Sequence, residues 1–215
     1  MVRTEIYRHS IDEPWTYRDL DEYQNEWAQK CLESNDGKLI FSEVSPVVTL
    51  GRRAELSDLI ATEEEFENKG VLLYQTRRGG LVTYHGPGQW VVFPVRKLEA
   101  WVGDSRAIRK FVDQLLEVAL QVCRIYVPKA EIQGGLQTGV WGPQGKLASI
   151  GIDIQDRVVT HGLCINGFET QTSFYGIRPC GGPPRVQYLL EEPWDEDFMN
   201  LQGQIEQAFF KVFKL

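Results

Sequence analysis

The run Arg77-Arg78-Gly79-Gly80-Leu81-Val82-Thr83-Tyr84-His85-Gly86-Pro87-Gly88-Gln89 places four glycines and a proline around a short strand-forming stretch. Glycine lets a backbone turn tightly and lie close against a ligand, where a Cβ would intervene. The arginines, Tyr84, His85 and Gln89 add polar groups to such a wall. A pair of structural turns would have the same composition, because a glycine-rich match taken alone is weakly specific.

Three further residues carry reactive groups. Lys146 opens a strand-like segment in which period two sets it on the apolar side with Ala148, Ile150, Ile152 and Ile154. An ammonium there either snorkels from the strand end or is desolvated, its pKa falling until it can act as a base. His161 is in phase with Val159, Leu163 and Ile165, so the pattern turns it inward, as a hydrogen-bonded core histidine or as a catalyst. Cys180 sits in Arg178-Pro179-Cys180-Gly181-Gly182-Pro183-Pro184, a loop with no apolar periodicity to bury it. Such a thiol becomes a nucleophile when a lysine or histidine lowers its pKa. Cys31 and Cys123 fall on helix faces as small hydrophobes, and Cys164 falls on the strand face opposite His161, lining a pocket or a core.

Periodicity supplies the elements that must position these groups. Asp12 and Pro14 predict a helix start, followed by Leu20, Tyr23, Trp27 and Cys31 at spacings of three and four before Gly37. Lys38 to Val44 and Val47 to Leu50 read as strands, Thr62 to Asn68 as a small acidic helix, and Val71 to Gln75 as sheet again. Asp104 is the predicted cap of a long helix with Ile108, Phe111, Val112, Leu115, Leu116, Ala119, Val122 and Cys123 on one wide face. Thr138 to Trp141 and Lys146 to Ile154 form a hairpin about Gly142-Pro143-Gln144-Gly145, Val158 to Ile165 follows as a strand, and Phe198, Leu201, Ile205, Phe209 and Val212 mark a last helix. Helices interspersed with hairpins, without strict strand-helix alternation, predict an α+β domain, a mixed β-sheet flanked by helices.

Composition bounds the rest. A chain of 215 residues favours one domain, 1–215, with no linker, repeat or low-complexity stretch. The net charge of −7 argues against a general nucleic-acid coat or a polybasic membrane binder. The longest apolar runs fall short of the ~18 residues that span a bilayer. The N-terminus Met1-Val2-Arg3-Thr4-Glu5 has no apolar signal region, and four scattered cysteines without a CxxC pattern fit a reducing compartment better than a disulfide framework.

Taken together, these blocks resemble the lipoyl (octanoyl) transferase family. Its RGG-x-VTYHGPGQ signature stands here as Arg78 to Gln89, followed by Gly145-Lys146-Leu147-Ala148-Ser149-Ile150-Gly151, by Thr160-His161-Gly162-Leu163 leading to Asn166, and by Pro179-Cys180-Gly181. The resemblance implies a biotin/lipoate protein ligase-like fold and an enzyme that moves an octanoyl (or lipoyl) group from acyl carrier protein to a lysine of lipoyl domains. The acceptors it implies are the lipoyl domains of 2-oxoacid dehydrogenase complexes and the glycine cleavage H protein. It further implies that Cys180 carries the acyl group as a thioester and that Lys146 activates it. The acyl site would be lined by Arg78, Gly79, Gly80, Val82, Thr83, Tyr84, His85 and Gly86, by Ser149, Ile150 and Gly151, and by His161, Gly162, Leu163 and Cys164. A cytoplasmic monomer is expected, with no cofactor or metal and neither nucleic acid nor membrane as partner. The chain departs from the family after Cys180, in Gly181-Gly182-Pro183-Pro184-Arg185, and at Cys164, where alanine is common.

Two other functions would keep the same architecture. An ATP-dependent ligase would need no catalytic cysteine, and a non-catalytic acyl-binding protein would have no reason to retain both Lys146 and Cys180. The resemblance implies that both protein partners are acidic, so attraction to a chain at −7 must come from a local patch, for which Arg52, Arg53, Arg77 and Arg78 are the candidates.

Overall fold

The structure, a computed structural model, describes residues 4–8, 14–34, 36–178, 185–191 and 195–214. In chain order the elements are β1 (Thr4–Arg8), α1 (Tyr17–Glu33), β2 (Gly37–Ser42), β3 (Val47–Leu50), α2 (Glu63–Asn68), β4 (Leu72–Gln75), β5 (Val82–His85), β6 (Gln89–Lys97), α3 (Leu98–Val102), α4 (Ile108–Tyr126), β7 (Glu131–Gln133), β8 (Gly139–Trp141), β9 (Lys146–Gln155), β10 (Val158–Asn166) and α5 (Asp195–Phe213). Seven strands form the main sheet in the order β1-β2-β6-β10-β9-β8-β7, antiparallel except for the β1–β2 pair, and β4-β3-β5 form a second, small sheet. The architecture is a mixed α+β fold with sheets flanked by helices.

One face of the main sheet packs against α3, α4 and α5 through Leu39, Trp90, Val92, Leu163 and Ile165, which meet Phe111, Leu115, Leu201 and Phe209. The other face carries α1 through Tyr17, Leu20 and Cys31 on Ile40, Val91, Phe93 and Cys164. Periodicity located α1, α4 and α5 because each buries one stripe of such residues. The true start of α1 is Thr16, whose hydroxyl accepts from the Asp19 N–H while Asp19 accepts from the Thr16 N–H. That reciprocal cap satisfies two groups a helix start leaves open. Pro14 lies ahead of it, and Asp12 is outside the described residues.

Asp104 does not cap α4. Its carboxylate accepts from the nearby Arg106 N–H, and the helix begins at Ile108 after Ala107, which offers no side-chain cap. A local side chain to backbone turn has replaced the cap. The separate helix α3 and the central strand β6 were not read from the sequence. Strand β6 is buried on both sides, so its residues run apolar without a clean alternation.

The strands β6 and β10 do not pair throughout. They are in register at Val158↔Lys97 and Val159↔Arg96 and again from Leu163↔Val92, with Thr160–Gly162 unpaired between, opposite Pro94. Proline has no N–H for a ladder, so a central strand accepts it only where the neighbour does not need that bond. On its other side β10 pairs with β9 without interruption, including Gly162↔Gly151.

Candidate active site

A cleft of about 1130 Å3 opens between the small sheet and the middle of the main sheet. Its wall is the turn between β4 and β5. Gly51, Arg52 and Arg53 donate backbone hydrogen bonds to Leu81, Arg78 and Gly80, and the Gly79 N–H donates across the cleft to Ile152 O of β9 at 2.9 Å. A Cβ on Gly51 would lie 2.5 Å from Gly80 O, and Gly80 has φ +95°, so both positions need glycine. Inside this turn the Arg78 guanidinium is buried and donates to Thr49 O at 2.6 Å, to Thr49 Oγ1 and to Gly79 O. Arg78 therefore braces the wall from within, and the surface-patch role expected of it is excluded by its burial.

The floor comes from Ser149, Ile150 and Gly151 on β9 and from His161, Gly162, Leu163 and Cys164 on β10, with Phe93 of β6 and Tyr17 of α1 beside them. Val82, Thr83 and His85 complete the side formed by the small sheet. Tyr84 and Gly86 do not line the cleft. The Tyr84 hydroxyl shares a 2.7 Å hydrogen bond with Thr172 on the far side of β5, and Gly86 is bare because the Tyr84 phenol occupies its Cβ position. The second half of the glycine-rich run is a structural turn, held where the Gly88 N–H donates to Glu43 at 2.6 Å and Gly88 O accepts from Gly167 and Phe168.

His161 does not point where strand alternation predicts. Its φ is +58°, which breaks the pleat and carries the ring away from Val159 and Leu163 to the α1 face. There it packs on Phe93 at 5.4 Å between centroids, on the same side as Cys164 and not opposite to it. Burial, followed by the positive Arg78 and Arg77, lowers its pKa to about 3, so it is neutral. The Asp21 carboxylate 3.7 Å away makes no ion pair with the uncharged ring. His85 is held at about 3 by the same two causes, burial and then Arg78, and stacks on Tyr17 at 5.7 Å. The Tyr17 hydroxyl and His85 Nδ1 are buried at this inner end without a hydrogen-bond partner among the described residues. Cys164 is also here; burial pushes its thiol up, and Sγ donates to Gln89 Oε1 at 3.3 Å.

Lys146 lies at the opposite end of the cleft. It is the first residue of β9, paired with Trp141 beside the register irregularity at Val140 and Trp141. Instead of entering the core its side chain is half-buried, crosses Gly139 and brings Nζ to 5.4 Å from the centre of the Trp141 ring. Its backbone is clamped: N donates to Arg185 O at 2.8 Å, and O accepts from Gln187 N at 3.0 Å and from Asn166 Nδ2 at 2.9 Å. Asn166 in turn accepts from Gln89 Nε2, so a chain of hydrogen bonds runs from Cys164 through Gln89 and Asn166 to Lys146. Cys180, with Pro179 and Gly181, lies outside the described residues. The flanks are placed: Arg178 donates to Asp58 O, and Arg185 O is the partner of the Lys146 N–H.

Tyr17, Phe93 and Asn166 line the cleft without having been singled out as lining residues, and Asp153 supports it from behind. The buried Asp153 carboxylate accepts from Arg52 at 2.5 Å and faces Arg77 Nε at 3.6 Å, an ion pair too long for a hydrogen bond. A charged residue in a strand of isoleucines, in phase with Gly151 and Ser149, was the available sequence signal.

Fold and cleft together define a protein of the lipoate protein ligase-like class. The chain belongs to the lipoyl protein ligase A/B catalytic domain family, whose model matches residues 16–209. It is 31% identical over 212 residues to an octanoyltransferase of Parabacteroides distasonis, covering 92% of this chain and 94% of that one. It is 36% identical over 199 residues to an octanoyltransferase of Maridesulfovibrio salexigens, with 91% of each covered. In fold it is similar to a lipoate-protein ligase A solved with ATP, at a TM-score of 0.76 and 13% identity over 98% of this chain and 85% of that one. It also resembles the archaeal bipartite lipoate protein ligase of Thermoplasma acidophilum, at 0.65 and 12% over 98% and 83%. Among the described residues no helix is long and apolar enough to cross a membrane.

Proposed function

We propose that the chain is an octanoyltransferase that takes an octanoyl or lipoyl group from acyl carrier protein and delivers it to a lysine of lipoyl domains. The Cys180 thiolate attacks the donor thioester, a new thioester forms and the carrier thiol leaves. The acceptor lysine amine then attacks, an amide forms and Cys180 is released as the thiol. Lys146 moves the proton in both steps. The acyl chain lies along Ser149–Gly151 and Gly162–Cys164 under the glycine wall. Acceptors are the lipoyl domains of 2-oxoacid dehydrogenase complexes and the glycine cleavage H protein, and the enzyme works in the cytoplasm as a monomer.

The observation that carries this reading is the clamp at Lys146, whose backbone is bonded to Arg185 and Gln187, the residues that follow the segment bearing Cys180. It supports a lysine and a thiol meeting at one end of an acyl-sized cleft. The test is transfer from purified octanoyl-acyl carrier protein to an apo lipoyl domain without ATP or magnesium, with intact-mass analysis when the acceptor is withheld. The expected adduct maps to Cys180 and disappears in Cys180→Ala. An adduct that survives that substitution overturns the assignment, and an absolute ATP requirement transfers the chain to the ligases.

A further inference from the structure

Gln24 is wholly buried in α1, in phase with Leu20 and Cys31 on an otherwise apolar stripe, and it is not among the residues that line the cleft. A buried amide on such a stripe is costly unless its hydrogen bonds are used. Its Oε1 accepts from the backbone N–H of His161 at 2.7 Å, and its Nε2 donates to Asp21 Oδ1 at 2.7 Å. Asp21 is itself held by the Tyr74 hydroxyl at 3.2 Å. The amide is thus oriented from outside, with its oxygen toward β10.

The bond falls at the one stretch where β10 is not in the β6 ladder. The register is the same at Val159↔Arg96 and at Leu163↔Val92, so no residue has been inserted and Thr160–Gly162 is a break in the ladder, not a bulge. Gly162 still lies against Val92 and Pro94, while His161 beside it takes a left-handed φ of +58°, which a residue with a Cβ rarely adopts. That conformation puts the ring on the α1 face, at the inner end of the cleft. We propose that Gln24 is a positioning residue for the acyl site: by capturing the His161 N–H it holds His161 out of the β6 ladder, in its left-handed conformation, and fixes the floor on which the acyl chain lies. The inference rests on the octanoyl-transfer reading for its ligand. Because Gln24 is remote from Lys146, it governs binding of the chain and not the chemistry at its carbonyl.

The experiment compares Gln24→Leu with the parent, alone and combined with His161→Gly, using a small octanoyl thioester as donor. Glycine adopts positive φ freely, so it does not need the Gln24 bond to stay there. Gln24→Leu is expected to raise KM about tenfold with kcat within about twofold, and to raise it less than about threefold when His161 is already glycine. An equal penalty in both backgrounds, or an unchanged KM in the folded single variant, overturns the proposal. Amide exchange of the His161 N–H is the second arm: Gln24→Leu should expose it, and Gln24→Glu combined with Asp21→Asn, which keeps the acceptor oxygen and moves the donor to position 21 without opposing two carboxylates, should leave it protected. Protection lost equally in Gln24→Leu and the double variant, or in neither, also overturns the proposal, and a folded double variant that is exposed while the parent is protected does so if Gln24→Leu does not fold. This arm needs no turnover, so a parent enzyme without transferase activity counts against the octanoyl reading alone.

Discussion

Gly151 and Gly162 stand directly opposite one another on β9 and β10, so the middle of the cleft floor has no side chain on either strand. The two glycines are bare for different reasons. A Cβ on Gly162 would lie 2.3 Å from the Val92 carbonyl oxygen, whereas one on Gly151 would meet the Arg78 Cδ and Gly79 O at 3.3 Å. Gly162→Ala therefore pushes two backbones apart and should cost about 2 kcal/mol of stability or more. Gly151→Ala should fold with little change in Tm and raise KM for the octanoyl donor, because its methyl enters the space under the wall. Thermal unfolding and steady-state kinetics on both variants check the pair, and the prediction fails if Gly162→Ala keeps the parent Tm.

Lys146 has a proton-transfer role in the proposed cycle. Lys146→Arg keeps the charge beside Trp141 but provides almost no base near neutral pH. It should be nearly as impaired as Lys146→Ala, by roughly 100-fold or more, in both acylation of Cys180 and transfer to the acceptor. Single-turnover measurement of each half-reaction decides this. Substantial activity in a folded Lys146→Arg protein shows that the charge alone is what the site needs.

His85 and His161 make the protein acid-sensitive. Both have folded pKa values lowered to about 3 by burial and by Arg78, below the ordinary 6.5. The fold favours the neutral ring, so the contribution is complete above pH 6.5 and is lost as pH falls from there toward 3. Between pH 7 and pH 5 each histidine should remove about 2 kcal/mol. Denaturant unfolding at the two pH values, for the parent and for His161→Asn, should show the variant losing roughly half of that sensitivity. Identical pH slopes would mean that the rings are not held neutral.

The arginines around the wall divide by their partners. Arg77 and Arg52 are committed to Asp153, while Arg53 is exposed on the cleft rim. Charge reversal at Arg77 would set a second carboxylate beside the buried one, and should lower Tm as well as affect docking. Arg53→Glu is the clean test of an acidic carrier: KM should rise about tenfold for carrier-bound donor and stay within about twofold for a small octanoyl thioester. Equal effects on both donors would place Arg53 in acyl binding instead.

The amino-acid sequence determined the α+β class, the three long helices and the hairpin from Gly139 to Gln155, because each is a local matter of periodicity and turn chemistry. It also singled out the segments that meet in the cleft, from Arg78 to His85, from Lys146 to Gly151 and from His161 to Cys164. Strand β6 was hidden because burial on both faces erases alternation. What the glycine-rich run does could be decided only in three dimensions: Gly79 reaches β9, while Gly86 and Gly88 close a turn against Tyr84 and Phe168. The direction of His161 was likewise a tertiary outcome. Strand phase pointed it into the core beside Val159 and Leu163, but Pro94 on one neighbour and Gln24 on a distant helix changed its backbone angle, and neither lies near it in the chain. For Lys146 strand phase left snorkelling and desolvation both open, and only the tertiary structure decided between them: the irregular pairing at Trp141 and the backbone of Arg185 leave the side chain half-buried at the strand end.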